Sequence, residues 1–394
     1  MAEEFPKDIA PQRALLLERV EKIAPILRAS GPKSEELGTL APEAVKALRE
    51  SGMFRLKLCS ELGGAEADPL TEMLVLENLA YHDFTSAWCT MVGATSVAVF
   101  GMFLTAPGLA KVFRNGNMPT VAMSVFPAGR AKPEGDGYRV SGRWRFNSGI
   151  RHAEWVIGGA LIEGNETAGR AGAIMVAFPA NEVTIHDNWG GVTGLRGTGS
   201  NDTSVENKFV QKELSFVWDL AHPKPIRGGP GFRMPPFAYV AREHGSVAIG
   251  AARRALDELI NIATTTRGTF RASKLDERQV VHRFIGEADL KLRAARALLH
   301  ERYGALYDKV VAGKHVDAAD IADVRAIAVY ATDIAVWVVT NTYHFAGNTG
   351  LHHPHVMGRL LRDINTAGIH QVMSDTAYEN HGKIRLGLSA DPMS

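Results

Sequence analysis

At 394 residues, with 45% of its side chains apolar, the chain is long for one core and suits two or three domains. Its 44 basic and 43 acidic side chains leave a formal charge of +1 with no long run of one sign, so neither nucleic acid nor an anionic membrane surface is implied as a partner. Cys59 and Cys89 have no redox or metal-ligand spacing, and MAEEFPKD lacks the basic-then-apolar pattern of a secretory signal, which leaves a small-molecule partner and a cytoplasmic location as the expectation.

The first 118 residues read as helical. Leu16, Val20, Ile23 and Leu27 set an apolar stripe on a helix over 15–29. Pro42 suits a first helical position, and the helix it opens is expected to run to Gly52. Further helices are predicted over 69–81 and 109–113. Between these two, residues 85–110 carry no charge and approach the length of a membrane span. Ser86, Thr90, Gly93, Thr95, Ser96 and Gly101 dilute the stretch, and it reads better as the central helix of a globular protein.

The pattern changes near Pro119. Short β-branched or aromatic runs at 120–125, 138–146, 155–162, 171–178, 183–189 and 203–210, separated by Gly, Pro, Asn and Asp, predict a small β-barrel or sandwich. The linker HPKPIRGGPGFRMPP, 222–236, ends it, because its prolines and glycines continue neither strand nor helix. From Phe237 the chain is helical again. Val281, Ile285, Ala288, Leu292, Ala295 and Leu299 recur at intervals of four and three, the stripe of a helix packed along another, and further helices are predicted over 318–343 and 355–379. The fold class is thus α+β: a helical domain (1–118), a middle β domain (119–221), a linker (222–236) and a C-terminal four-helix bundle (237–394).

One stretch draws attention as a binding site. VSGRWRFNSGIRHAEW (140–155) reads as strand, polar turn and strand. It gathers a serine, basic side chains and an indole at a strand end, where backbone N–H and C=O groups are free to hold a flat, polar-edged ring.

The order helices, strands, helices, together with WRFNSGIRHAEW (144–155), GLRGTGSND (194–202) and RDINTAGIH (362–370), resembles the acyl-CoA dehydrogenase superfamily along essentially the whole chain. Within it the sequence is most similar to the flavin-dependent monooxygenase branch, the oxygenase components of two-component aromatic hydroxylases. The resemblance implies reduced flavin (FADH2 or FMNH2) supplied by a separate flavin reductase that alone uses NAD(P)H. It also implies oxygen transfer through a flavin C4a-hydroperoxide to a small aromatic or heteroaromatic substrate of phenol or indole type. A site closed to water and a hydrogen bond near flavin N5 would then be needed.

What the resemblance assigns to residues follows from these motifs. Ser148 matches the serine at N5, and its hydroxyl both donates and accepts. His370 matches a histidine over the flavin that assists peroxide formation, a role imidazole suits because its pKa lies near neutrality. On a helix running to 379 it would share a face with Asp363. Ser124, in AMSVFPAGR (122–130), is expected beside flavin or substrate. Trp144, Arg196, Thr198, Ser200, Arg271, Gly347 and Asn348 are expected to hold the cofactor, the last three across a subunit boundary of a homotetramer. Trp88, Thr95 and Ser96 are expected to meet substrate. No histidine occurs on that helix to ionise a phenol, so an indole becomes as plausible a substrate as a phenol. No metal site is expected, since His352, His353 and His355 lack the helical i, i+4 spacing. The alternative is an acyl-CoA dehydrogenase or related flavin oxidase. It needs a carboxylate base where His370 and Gln371 stand, or one near Glu243.

Overall fold

The computed structural model describes residues 4–114, 118–165, 173–219, 223–265, 274–352 and 354–391. The chain divides into two compact units, one made of Met1–Asp68, Trp88–Val192 and Arg196–Met234, the other of Pro69–Ala87, Thr193–Leu195 and Pro235–Ser394.

The first unit holds α1 (Ile9–Leu37), α2 (Pro42–Glu50), most of α4 (Phe84–Phe103), α5 (Ala106–Val112) and every strand described. Helix α1 runs well beyond the expected 15–29 and passes through Pro25 and Pro32. Its buried stripe, including Leu16, Val20, Ile23 and Leu27, outweighs the backbone hydrogen bonds the prolines remove. It stops where Gly38 turns left-handed at φ 65° and returns its N–H to Glu35 and Ser34 carbonyls. Helix α4 is long and apolar enough to cross a membrane, yet 94% of its most apolar stretch is buried in the protein, as expected of a central helix.

The strands are β1 (Val121–Glu134), β2 (Gly137–Trp144), β3 (Trp155–Ile162), β4 (Ala173–Pro179), β5 (Thr184–Ile185), β6 (Thr203–Gln211) and β7 (Ser215–Phe216). They form one mixed sheet in the order β5-β6-β2-β1-β3-β4-β7, in which only β1 and β3 run parallel. Val205 and Val210 of β6 share a core with Ile174, Val176 and Phe178 of β4, strands far apart in that order. The sheet therefore coils on itself, and Trp144 fills the space it encloses. That indole, 1% exposed, gives its N–H to the Gly159 carbonyl at 2.7 Å. A Cβ on Gly158 would stand 2.5 Å from the ring, so glycine is what lets the strand pass over it.

The second unit packs α3 (Pro69–His82) on α6 (Pro236–Thr265), and adds α7 (Gln279–Val311), α8 (Ala318–Ala346), α9 (Asn348–Leu351), α10 (Val356–Gly368) and α11 (Thr376–Arg385). The stripe read from sequence faces inward on α7, with Val281, Ala288, Leu292, Ala295 and Leu299 all buried. The helix expected over 355–379 is corrected: α10 ends at Gly368, a 3-10 turn covers Gln371–Met373, and α11 begins at Thr376. His370 and Ser374 adopt extended backbone on either side of that turn, which divides the segment into two helices.

Candidate active site

The turn after β2 is built around Asn147. Its buried amide nitrogen donates to the Trp144 carbonyl at 2.9 Å and to Thr203 Oγ1 at 3.2 Å, while its backbone N–H reaches the Asn201 carbonyl at 3.2 Å. These bonds hold Phe146 at φ 60°, a conformation a bulky residue adopts only when its surroundings impose it. The Phe146 ring is thereby thrown outward, 64% exposed and edge-on to Trp189. Ser148, next in line, is half-buried, and Gly149 at φ 80° closes the turn with its N–H on the Thr198 carbonyl at 2.8 Å.

Three hydroxyls meet there. Ser148 Oγ lies 2.7 Å from Ser200 Oγ, which lies 2.6 Å from Thr198 Oγ1. Trp88, on α4, donates its indole N–H to Ser148 Oγ at 3.3 Å. An indole nitrogen only donates, so Ser148 accepts from Trp88 and its own proton points to Ser200 or to a ligand. The second lone pair of Ser148 remains able to accept. The structure thus joins Ser148, Thr198, Ser200 and Trp88, all named from sequence. Trp88 was expected to touch substrate; here its polar edge is spent on orienting the serine.

Other residues of the same unit are placed differently. Ser124 is half-buried on β1 opposite Gly158, where the pairing with β3 breaks until Gly129. Trp144, expected to hold the cofactor, is 1% exposed in the core that the sheet encloses. Thr95 and Ser96, expected to meet substrate, are both buried, and their hydroxyls go to the Met91 and Val92 carbonyls of their own helix at 2.9 and 2.7 Å. Thr95 also receives the ammonium of Lys57, a fully buried lysine that sequence reasoning passed over. Its signal was a lysine set between Leu56 and Leu58 in the largely apolar run MFRLKLC, where Arg55 is the other charge.

In the second unit the family motifs also interlock. Asp363 takes the Leu195 backbone N–H on Oδ1 at 2.6 Å and the Thr85 hydroxyl on Oδ2 at 3.4 Å. A Cβ on Gly194 would stand 2.1 Å from the Arg362 carbonyl oxygen, so this glycine permits the approach. His370 lies beyond the end of α10 rather than on Asp363's face. Its Nδ1 accepts the Val372 backbone N–H at 3.2 Å, and its exposed ring lies against His244 of α6, with centroids 4.7 Å apart. The surrounding protein, and then His244, push its pKa well below the ordinary histidine value of 6.5. The ring is neutral at physiological pH, with its proton on Nε2. His244 itself was missed from sequence.

Glu243, the possible dehydrogenase base, is 1% exposed and sits 3.9 Å from Arg242, whose guanidinium also binds Glu72 at 2.5 Å. It belongs to a buried ion cluster.

Arg196 is exposed at the start of the 3-10 turn Arg196–Thr198. Gly347 breaks the chain between α8 and α9 at φ 56°, ψ −141°, and leaves Asn348 exposed. Arg271 and His353 lie outside the described residues. His355 caps α10 by accepting the Met357 N–H and faces Glu258 at 3.6 Å. Among the described residues no cluster of His, Cys, Asp and Glu is arranged to hold a metal ion.

Comparison with known proteins places the chain. The family model "Acyl-CoA dehydrogenase, N-terminal domain" matches residues 20–106, and "Acyl-CoA dehydrogenase, C-terminal domain" matches residues 243–375. Indole-3-acetate monooxygenase of Acinetobacter baumannii is 27% identical over 93% of this chain and 92% of its own. The flavin-dependent monooxygenase oxygenase subunit HsaA of Rhodococcus jostii is 27% identical over 94% of this chain and 98% of its own. The fold matches the structure of XiaF from Streptomyces sp. in complex with FADH2 and glycerol at TM-score 0.85 and 24% identity, covering 98% of both chains. With two of its family models matching more than half of its residues, this chain belongs to the acyl-CoA dehydrogenase superfamily.

Proposed function

We propose that the chain is the oxygenase component of a two-component flavin-dependent monooxygenase that hydroxylates a small aromatic or heteroaromatic compound of indole or phenol type. The observation that carries this reading is the Ser148 hydroxyl, held by Trp88 and Ser200 at a sheet end with one lone pair still able to accept. Such a group fits the N5 edge of a flavin, where a hydrogen bond must be taken or given according to the flavin's protonation. The full-length relatives support the class of reaction, since their names include an indole-3-acetate monooxygenase and a flavin-dependent monooxygenase oxygenase subunit.

Reduced flavin, delivered by a separate reductase, supplies the two electrons that turn one atom of dioxygen into water while the other enters the ring. The chain's part is to position and to manage protons. Ser148 holds the N5 edge, Thr198 and Ser200 keep its proton directed, and Arg196 serves the flavin's phosphate or ribityl oxygens. Ser124 lies at the break in β1 to meet flavin or substrate, and His370 presents an Nε2–H to the oxygen being transferred. Gly347 and Asn348 contact the cofactor of a neighbouring subunit in a homotetramer. The exposed Val280, Leu290 and Leu298 of α7 support that assembly.

The test uses the purified chain, NADH and a flavin reductase under oxygen-18 gas, with FAD or FMN and a panel of indoles and phenols. One oxygen-18 atom per product molecule is expected. Consumption of NADH with only labelled hydrogen peroxide formed, for every substrate and both flavins, overturns the reading.

A further inference from the structure

His244 is assigned no role by the reaction class, yet it is the side chain His370 rests on. It stands on α6, is 6% exposed, and its Nδ1 lies 3.0 Å from the Val240 carbonyl. A carbonyl only accepts, so His244 carries its proton on Nδ1. His370 is the opposite tautomer, because its Nδ1 accepts from Val372 N–H and its proton is left on Nε2. The two rings are tilted by 32° with centroids 4.7 Å apart, so one buried imidazole forms the floor on which the exposed one lies.

We propose that His244 is a positioning residue: its ring fixes the plane of His370, so that His370 offers a neutral Nε2–H, and no other donor arrangement, to the oxygen it handles. This rests on the reading of His370 as the residue that meets the reacting oxygen. Without the floor, the His370 ring can rotate, exchange its two nitrogens and lose the Val372 bond. The contact also opposes a second positive charge, since imidazolium at either position raises the cost of imidazolium at the other. His244 is a titratable side chain whose charge bears on His370, and on α8 the hydroxyl of the neutral Thr332 meets the sulfur of Met373 in the turn that follows His370.

Nitrogen-15 NMR of histidine-labelled protein, without flavin, reads the tautomer directly. His370 is expected to show a protonated Nε2 and an unprotonated Nδ1 from pH 8 to pH 6. His244→Ala should give a mixture of tautomers that titrates at higher pH. His244→Phe, which keeps an aromatic floor without a charge, should restore the single tautomer. An unchanged His370 signal in folded His244→Ala, or a mixture already present in the wild type, overturns the proposal. Should His244→Ala fail to fold, the comparison of wild type with His244→Phe decides: loss of the single tautomer there refutes the floor. Turnover separates this from the reading beneath it. If His370→Ala leaves product and hydrogen peroxide yields unchanged, His370 has no part in the chemistry and the proposal loses its function, while the NMR result still reports the ring contact.

Discussion

The hydroxyl chain Ser148–Ser200–Thr198 gives Ser200 a measurable job although it need not touch the flavin. Ser200→Ala removes the hydroxyl that is hydrogen-bonded to Ser148, a change on the scale of one neutral hydrogen bond, about 0.5–1.5 kcal/mol. That corresponds to a rise of about 2- to 10-fold in hydrogen peroxide released per product formed. Ser148→Ala should exceed it, and a peroxide ratio unmoved in both variants would remove the serines from oxygen chemistry. Ser148 was legible through its motif. The role of Trp88 was not, because sixty positions separate it from the serine and no periodicity couples a helix residue to a distant turn. Arg151 and His152, also in that motif, brace it. Arg151 binds Asn201 Oδ1 at 3.0 Å and Asp187 at 2.6 Å, and the His152 ring packs against Gly149. A recognisable motif thus mixes residues that do chemistry with residues that shape the turn.

At the scale of elements, apolar period and turn residues placed most helices and strands, and β3 falls within the bounds read from sequence. The readings that failed did so where tertiary contacts outvote local preference: α1 continues through two prolines, and the segment after α10 breaks where side-chain caps were invisible from sequence. The GLRGTGSND motif illustrates why glycine positions carry information. Gly194→Ala would drive a methyl into the Arg362 carbonyl and pull Leu195 N–H off Asp363, and overpacking of this kind costs about 1–3 kcal/mol. Gly286, exposed within α7 with nothing near its missing Cβ, provides the contrast, since Gly286→Ala should stabilise by about 0.5–1 kcal/mol. Urea unfolding of the two variants should move the midpoint in opposite directions. Equal shifts would mean that Gly194 is not a close-approach site.

For the whole molecule, folding stability should depend on pH through histidines held neutral. Burial, and then Arg49, lower the His152 pKa from 6.5 to about 4. The unfolded chain takes up a proton below pH 6.5 that the folded protein refuses, so the stabilisation is complete above 6.5 and is lost as pH falls toward 4. One such group sets a ceiling of about 1.4 kcal/mol per pH unit. The half-buried ring of His152 keeps the effect below that ceiling, and the exposed ring of His370 adds a smaller slope of the same sign. Carboxylates act elsewhere on the scale. Glu18, Glu43 and Glu287 are lowered from 4.5 by hydrogen bonds to Lys22, Lys33 and Lys291, so their protonation falls below the histidine window. Between pH 6.5 and 5.0 the urea midpoint of the wild type should therefore decline, and His152→Gln, neutral at every pH, should decline less steeply. Identical slopes would show that the unfolded and folded states bind the His152 proton equally, and that its ring is not held neutral by the turn it supports.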